Sequence, residues 1–187
     1  MTYEEIIERR RDFNIAGDKY KTLAQVDFDG PWVTPYQMSS RSPTGPVLIA
    51  YHWFDVPSIE RYRHILKENG YMPGMTFNKV LERALVIAGK NRSDIYVTQA
   101  FHLIPATRSA TIERKHLDYS FDAITRHELD GRRVISLGSE VTAVCRRFGI
   151  EHQPIDHPSA RHRSVEEKAK ALAAVVQRFA QGSDVAF

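Results

Sequence analysis

One loop of this chain combines a histidine with several basic side chains. Its residues are His157, Pro158 and Ser159, followed closely by Arg161, His162 and Arg163. Arginine suits contact with phosphate groups, because the pairing releases the cations that surround a phosphate. The loop lies beyond a short strand and about twenty residues after the apolar stretch that leads to Gly138, and we expect it to form a site that contacts phosphate.

Other basic residues fall into two groups along the chain. These are Arg146 and Arg147, close to the histidine loop, and an upstream group of Arg108, Arg114, Lys115 and His116. Such runs are usually solvated surface, and we predict this for the upstream group, whereas the nearer group is expected to help contact phosphate. The net charge of +3 is compatible with a nucleic-acid partner without requiring one.

The elements that must position this loop alternate between strand and helix. Predicted strands cover residues 47–54, 95–103, 134–137 and 150–155. Predicted helices cover residues 3–13, a segment that begins at Pro57 or Ser58 and ends at Gly70, residues 76–88 capped by Thr76 and ending at Gly89, and residues 139–148. A last helix runs from a Ser164/Glu167 capping box to about Gln181. Residues 111–129 have helical spacing, and residues 26–46 are predicted as a loop. This alternation predicts a three-layer α/β/α sandwich around a mostly parallel four-stranded sheet.

Ligands of such sheets bind beyond the carboxyl ends of the strands. Three segments follow predicted strands: Tyr51–Pro57, Thr98–His102 and Asp156–Arg163. We expect these segments to converge on one site, although they lie far apart in the sequence.

Composition excludes several classes of protein. Cys145 is the one cysteine, so a disulfide within the chain and a paired-cysteine zinc site are excluded, and its apolar setting predicts a buried thiol. His152, His157 and His162 recur every five residues, a spacing too unspecific to predict a metal. The glycine-rich fingerprints of nucleotide and dinucleotide binding are missing, and no cofactor is expected.

Length and charge predict where the protein works. A chain of 187 residues is long enough for one well-buried domain, which we expect to span residues 1–187. The first residues are charged, and no apolar run approaches the roughly 20 residues of a membrane span. We therefore expect a soluble, cytoplasmic protein without a membrane partner.

Three of these segments together resemble the uracil-DNA glycosylase superfamily. They are residues 97–102 (VTQAFH) followed by Pro105, residues 134–138 (VISLG) entering a helix, and residues 157–159 (HPS). The resemblance covers roughly residues 45–165. It implies a three-layer α/β/α fold and an enzyme that flips a damaged nucleotide out of DNA and cleaves the bond between base and sugar.

The resemblance also implies roles for individual residues. His157 would donate a hydrogen bond to the base oxygen that gains negative charge. Ser159 and the loop amides would grip phosphate, and Arg161 would fill the gap left by the flipped base. His162 and Arg163 are expected to contact DNA because they belong to the basic cluster beside the histidine. Gln99 stands where the family usually has Asn and can still read an imide edge. Phe54 and Tyr71 are the candidates for stacking on the base.

The first motif departs from the family. After the first strand, members usually have Gly followed by a carboxylate or Asn that holds the attacking water, but this chain reads AYHWFDVP over residues 50–57. His52 matches by position, and Asp55 carries the right chemistry three residues later. Asp55 is equally suited to cap the helix that Pro57 opens, and the two roles are compatible.

These expectations describe a monofunctional, cofactor-independent glycosylase that excises uracil. Because Gln99 replaces the usual Asn, the base pocket is expected to accept other deaminated or modified bases as well. A lyase would need a lysine, and the three candidate segments contain none. DNA containing uracil is the expected partner of a monomer. Two alternatives stay open: a non-catalytic binder of uracil-containing or single-stranded DNA, and a glycosidase acting on free nucleosides.

Overall fold

Four parallel strands form the central sheet. The computed structural model describes residues 1–17 and 19–180. Its strands are β1 (Tyr20–Lys21), β2 (Val47–His52), β3 (Tyr96–Phe101), β4 (Ile104–Pro105), β5 (Val134–Leu137) and β6 (Gln153–Ile155). The sheet has the order β3-β2-β5-β6, and each neighbouring pair is parallel. A separate antiparallel pair, β1 with β4, was not predicted.

Helices cover both faces of this sheet. They are α1 (Tyr3–Asp12), α2 (Val56–Asn69), α3 (Thr76–Ala88), α4 (Arg114–Ala123), α5 (Ser139–Arg147) and α6 (Val165–Ala180). Alternate residues of β2 point to opposite layers, so that Leu48 packs with α2, α3 and α6 while Ile49 packs with α1, α4 and α5. The predicted three-layer α/β/α architecture is therefore confirmed. Among the described helices, none is long and apolar enough to cross a membrane.

The strands predicted over 47–54, 95–103 and 150–155 are each two or three residues shorter than expected. The first central strand was expected to reach Phe54, but β2 ends at His52. Trp53 turns away to donate its indole N–H to Gly70 O at 2.8 Å, and its ring lies edge-on to Phe54 at 5.2 Å. Both rings belong to the helix layer rather than to the sheet, since their apolar surface is buried there.

Two of the predicted helix ends are confirmed and one cap is wrong. Gly70 and Gly89 both adopt left-handed backbone at the ends of their helices. Thr76 does not cap its helix, because it is the first helical residue and Met75 precedes it as the N-cap. The capping box of Ser164 and Glu167 forms as predicted. The predicted end of the last helix at Gln181 lies outside the described residues.

Residues 26–46 cover the outer edge of β3. This segment was predicted as loop, and it contains a short 3-10 turn at Pro35–Met38. Val97 N donates to Ser40 O at 3.0 Å and Ser42 N to Ile95 O at 2.9 Å, so the segment hydrogen-bonds to the strand. The edge strand is thereby shielded without a fifth full strand.

A buried polar network fills the layer between β3 and the 3-10 turn Thr125–Glu128. The Glu128 carboxyl accepts hydrogen bonds from Gln37 Nε2 at 2.9 Å, from Thr98 Oγ1 at 2.5 Å and from the Tyr96 hydroxyl. Burial raises the pKa of Glu128 to about 7, although the three donors act in the opposite direction. The carboxyl is thus poised to bind a proton near neutral pH.

Candidate functional site

A cleft of about 100 Å³ opens at the carboxyl end of β2. It is lined by His52, Trp53, Phe54, Asp55, Ser58, Tyr62, Met75 and Arg108. The cleft arises because β2 ends at His52 and α2 begins at Val56, so the connecting residues turn at the edge of the sheet. This is the edge at which open α/β sheets bind ligands.

Asp55 occupies the N-cap position of α2 without using its side chain as a cap. Its backbone is extended and its carbonyl accepts from Ile59 N at 3.0 Å, but its carboxylate makes no capping hydrogen bond. The side chain instead lines the cleft, and the residue is 5% exposed. The carboxylate is therefore available for chemistry in the cleft.

His52 is held as a neutral imidazole next to that carboxylate. Burial lowers its pKa to about 4, and the nearby His157 and Arg108 act in the same direction, while Asp55 partly offsets them. Its Nδ1 is buried and finds no hydrogen-bond partner within the described chain. At pH 7 this ring can accept a proton or orient a polar molecule.

The turn at residues 157–160 orients the ring of His157. Ser159 N donates to His157 Nδ1 at 3.1 Å, and Ala160 N donates to the His157 carbonyl at 2.8 Å. A backbone N–H can only donate, so in the neutral ring Nδ1 accepts and Nε2 carries the proton. Burial lowers the pKa of His157, which favours this neutral form. His157 Nε2 is thereby a hydrogen-bond donor.

Gly138 shapes the space around His157. It has φ +94° and ψ 167°, a region that essentially only glycine adopts. A Cβ at this position would lie 3.1 Å from His157 Cβ, and Gly138 N donates to Ile155 O at 2.8 Å. The predicted glycine after the third central strand is thus in contact with the predicted histidine.

Two of the three predicted segments converge, and the third does not. Residues at the end of β2 and the 157–160 turn lie close enough for His52 and His157 to influence each other electrostatically. The segment Thr98–His102 lies mostly within β3, and the loop beyond it supplies Arg108 to the cleft instead. Arg108 is exposed, as predicted for its group, and it also lines the cleft. Its place after the strand segment was the sequence signal that could have identified it.

Gln99 and His102 are enclosed in the protein. Gln99 is 0% exposed, its Oε1 accepts from Thr34 Oγ1 at 3.0 Å, and its Nε2 has no partner among the described residues. Thr125 donates to Gln99 O at 2.7 Å, so its hydroxyl oxygen accepts from His102 Nε2 at 3.1 Å. Burial lowers the pKa of His102 to about 3, and this histidine serves the core.

The two predicted stacking residues have different surroundings. Phe54 lines the cleft, although it is only 6% exposed. Tyr71 does not, because the Arg92 guanidinium covers its ring at 3.5 Å from the centroid. An aromatic that the sequence analysis missed, Phe77 of α3, lies 5.8 Å from the His157 ring between centroids, and Tyr36 stacks on it at 6.1 Å.

The predicted basic residues also separate. His162 and Arg163 share Asp156 as an ionic partner, at 3.2 Å and 3.5 Å. Arg161 is exposed and pairs with no carboxylate of the described ranges. Arg147 pairs with Asp118 of α4 at the far end of α5, so the expected contribution of Arg146 and Arg147 to the histidine loop is wrong.

A larger cavity of about 810 Å³ lies at the opposite, amino-terminal edge of the sheet. His152 lines it, so His152 and His157 sit on opposite sides of the short strand β6. Its arginines hold the fold together: Arg132 donates to Ser42 O at 2.7 Å and Arg178 to Gln153 Oε1 at 2.6 Å. We therefore assign the chemistry to the smaller cleft.

Compared with models of known protein families and with curated proteins, the chain matches none of them. Within residues 1–17 and 19–180, no group of three or more His, Cys, Asp or Glu could hold a metal ion. The fold and the site alone define the class: an α/β/α protein whose sheet edge carries two neutral histidines, a carboxylate and an exposed arginine. This set can donate a hydrogen bond from an imidazole N–H, orient water and attract an anion.

Proposed function

We propose that the protein is a monofunctional DNA glycosylase that flips out and excises uracil, leaving an abasic site. The observation that carries the proposal is the orientation of His157, whose Nδ1 accepts from Ser159 N so that Nε2 keeps the proton. This donor lies beside a cleft with a carboxylate and a second neutral imidazole. These are the groups that cleavage of a base from its sugar requires.

His157 acts on the leaving base. As the glycosidic bond breaks, negative charge develops on the base oxygen, and a preorganised Nε2–H stabilises that charge. A neutral imidazole is sufficient for this role, since it stabilises the anion by hydrogen bonding. Removal of one such donor typically lowers kcat by about 10²- to 10³-fold.

Asp55 and His52 act on the sugar side. Positive charge develops on the sugar in an oxocarbenium-like transition state, which a carboxylate stabilises. His52, neutral at pH 7 because burial lowers its pKa to about 4, is suited to accept a proton from the attacking water. The pair together would replace the single carboxylate that the resembling family uses.

The size of the cleft supports a small ligand group. At about 100 Å³ it is well below the roughly 300 Å³ at which pockets for drug-sized ligands begin, and a single flipped base is the natural occupant. Phe54 offers a ring in the cleft, and Phe77 offers one beside His157. For Gln99 to read the base, the Thr34 contact would have to open and expose the amide.

DNA is the proposed partner of a monomer that acts in the cytoplasm. Arg108 and Arg161 are exposed and free of ion pairs with described carboxylates, so they can contact phosphates, with Arg161 as the wedge. His162 and Arg163 would first have to release Asp156. The amide of Ser159 is bonded to His157, which leaves its hydroxyl for the DNA backbone.

The test is cleavage of an oligonucleotide with one uracil, in single-stranded and duplex form, followed by alkali. We expect cleavage by the wild type and a loss of about 10²-fold or more in His157→Ala. His152→Ala is the matched control, because His152 lies on the opposite side of β6 and has no role in the proposed site. Binding of the uracil-containing strand without cleavage would contradict the proposed enzymatic activity and favour the non-catalytic binding protein.

Two further arms define the substrate. Polymer binding weakens steeply with salt through counterion release, whereas binding of a free nucleoside does not, so a salt titration tests the nucleoside alternative. A panel of oligonucleotides with one lesion each tests the lesion range. Cleavage confined to uracil would refute the relaxed selectivity that Gln99 suggests.

A further inference from the structure

A buried lysine lies next to the histidine loop, on the helix that follows it. Lys168 is in the first turns of α6 and is only 6% exposed. An ammonium group buried without a partner is costly, because it loses its hydration. Its Nζ donates to Ala160 O at 2.8 Å, and no carboxylate in the described ranges pairs with it.

That carbonyl belongs to the turn that carries the proposed catalytic histidine. Ala160 N donates back to the His157 carbonyl, and Ser159 N donates to the His157 ring. Lys168 therefore fastens the last residue of a turn whose first residue is His157. The capping box of Ser164 and Glu167 fixes the start of the helix from which Lys168 projects.

We infer that Lys168 is a positioning residue for His157, because its ammonium fastens the 157–160 turn through Ala160 and thereby holds the imidazole in place near His52. The inference rests on the glycosylase function proposed above. It assigns a role to a lysine outside the three segments that the sequence analysis considered. Because the amine of Lys168 is hydrogen-bonded and buried, we assign it a structural role that we call the brace, and not the role of a nucleophile.

The charge of Lys168 acts on the same ring. Burial is the main cause that holds the pKa of His157 below its usual 6.5, followed by the positive charges of Lys168 and Arg108. The titratable groups facing His157 are thus Lys168 from α6, Arg108 from the loop after β4, and His52 from the end of β2. Lys168 and Arg108 disfavour a positive charge on the His157 imidazole, whereas His52 is neutral at pH 7.

The first test is independent of activity. The His157 ring is titrated by NMR in the full chain and identified by its loss in His157→Ala. Lys168→Met removes the charge and the donor but keeps the apolar stem, and we expect it to raise the pKa of His157 toward 6.5. Lys168→Arg should retain the wild-type titration, as should Lys170→Met, a matched control on an exposed lysine of the same helix.

The second test is the single-turnover rate of uracil excision. Displacement of a positioned catalytic group by about 1 Å can lower the rate about 10²-fold. We therefore expect Lys168→Met to lower the single-turnover rate about 10- to 100-fold with little change in the half-saturating concentration. Lys168→Arg should recover most of the rate. If Lys168→Met does not fold, Lys168→Gln, which keeps a donor without the charge, takes its place in both tests.

Two results would overturn the inference: an unchanged His157 titration in Lys168→Met, or excision at the rate of Lys170→Met. If the wild type excises no uracil, the proposed function is wrong, and Lys168 then has no catalytic residue to position. In that case the titration still reports whether Lys168 and His157 are coupled, so the two failures are distinguishable.

Discussion

The carboxyl of Glu128 should make the stability of this protein depend on pH in an unusual direction. Its pKa in the folded state is about 7, above its ordinary value of 4.5, because burial disfavours the charged form. The folded chain therefore holds this proton more tightly than the unfolded chain does. The stabilisation is complete below pH 4.5 and is lost as the pH rises through about 7.

The magnitude follows from the displacement of the pKa. A change from 4.5 to about 7 corresponds to about 3 kcal/mol in favour of the protonated form. Glu128 is fully buried, so solvent does not screen this contribution. Two histidines act in the opposite direction: the pKa values of His52 and His102 are lowered to about 4 and about 3, so their contributions are lost as the pH falls from 6.5.

A comparison of the wild type with Glu128→Gln separates these contributions, since the histidines are common to both. Urea unfolding, followed by the fluorescence of Trp32 and Trp53, gives the free energy of unfolding at pH 5 and at pH 8. We expect the wild type to gain up to about 3 kcal/mol relative to the variant at the lower pH. Glu60→Gln, on an exposed face of α2, reports the background. A difference that stays constant over this range would refute the reasoning.

Two further predictions concern the cleft. The single-turnover rate of excision should stay level above pH 6.5 and fall as the pH approaches the pKa of His52, about 4, because the protonated ring cannot accept a proton. A rate that has already fallen to half its maximum at pH 6.5 or above would contradict this. Gly138→Ala should cost about 1 to 3 kcal/mol in unfolding free energy and slow excision, because the backbone there is nearly glycine-only and the Cβ meets His157. Gly131→Ala, with φ +65° and open space around it, is the control and should leave excision unchanged.

The sheet could be predicted because its signals are local. Residues 47–50 are apolar on both faces, and Gly70 and Gly89 end helices through their own backbone freedom. The end of β2 could not, since Trp53 leaves the strand for a carbonyl seventeen positions away. Contacts of that kind depend on the folded arrangement and leave no periodic trace in the sequence.

The site was predictable in part for the same reason. His157 and Asp55 reach the cleft region because they follow strands, a position that the alternation of elements reveals. Arg108 lies in the loop beyond a strand segment, and its approach depends on how that loop folds back. The cover of Tyr71 by Arg92 and the burial of Lys168 are likewise tertiary contacts between distant residues.

The covered edge of β3 also bears on how copies of this chain meet. At that edge Ser40 and Ser42 already form backbone hydrogen bonds with Val97 of β3 and with Ile95, the residue before that strand. The other edge of the sheet is β6, where Gly138 N donates to Ile155 O, so the backbone of Ile155 faces β5. Because backbone groups alternate along a strand, those of Pro154 face outward, and proline has no N–H to donate to another strand. Neither edge of the described sheet is an easy template for another strand, so a high protein concentration should not drive sheet-to-sheet aggregation.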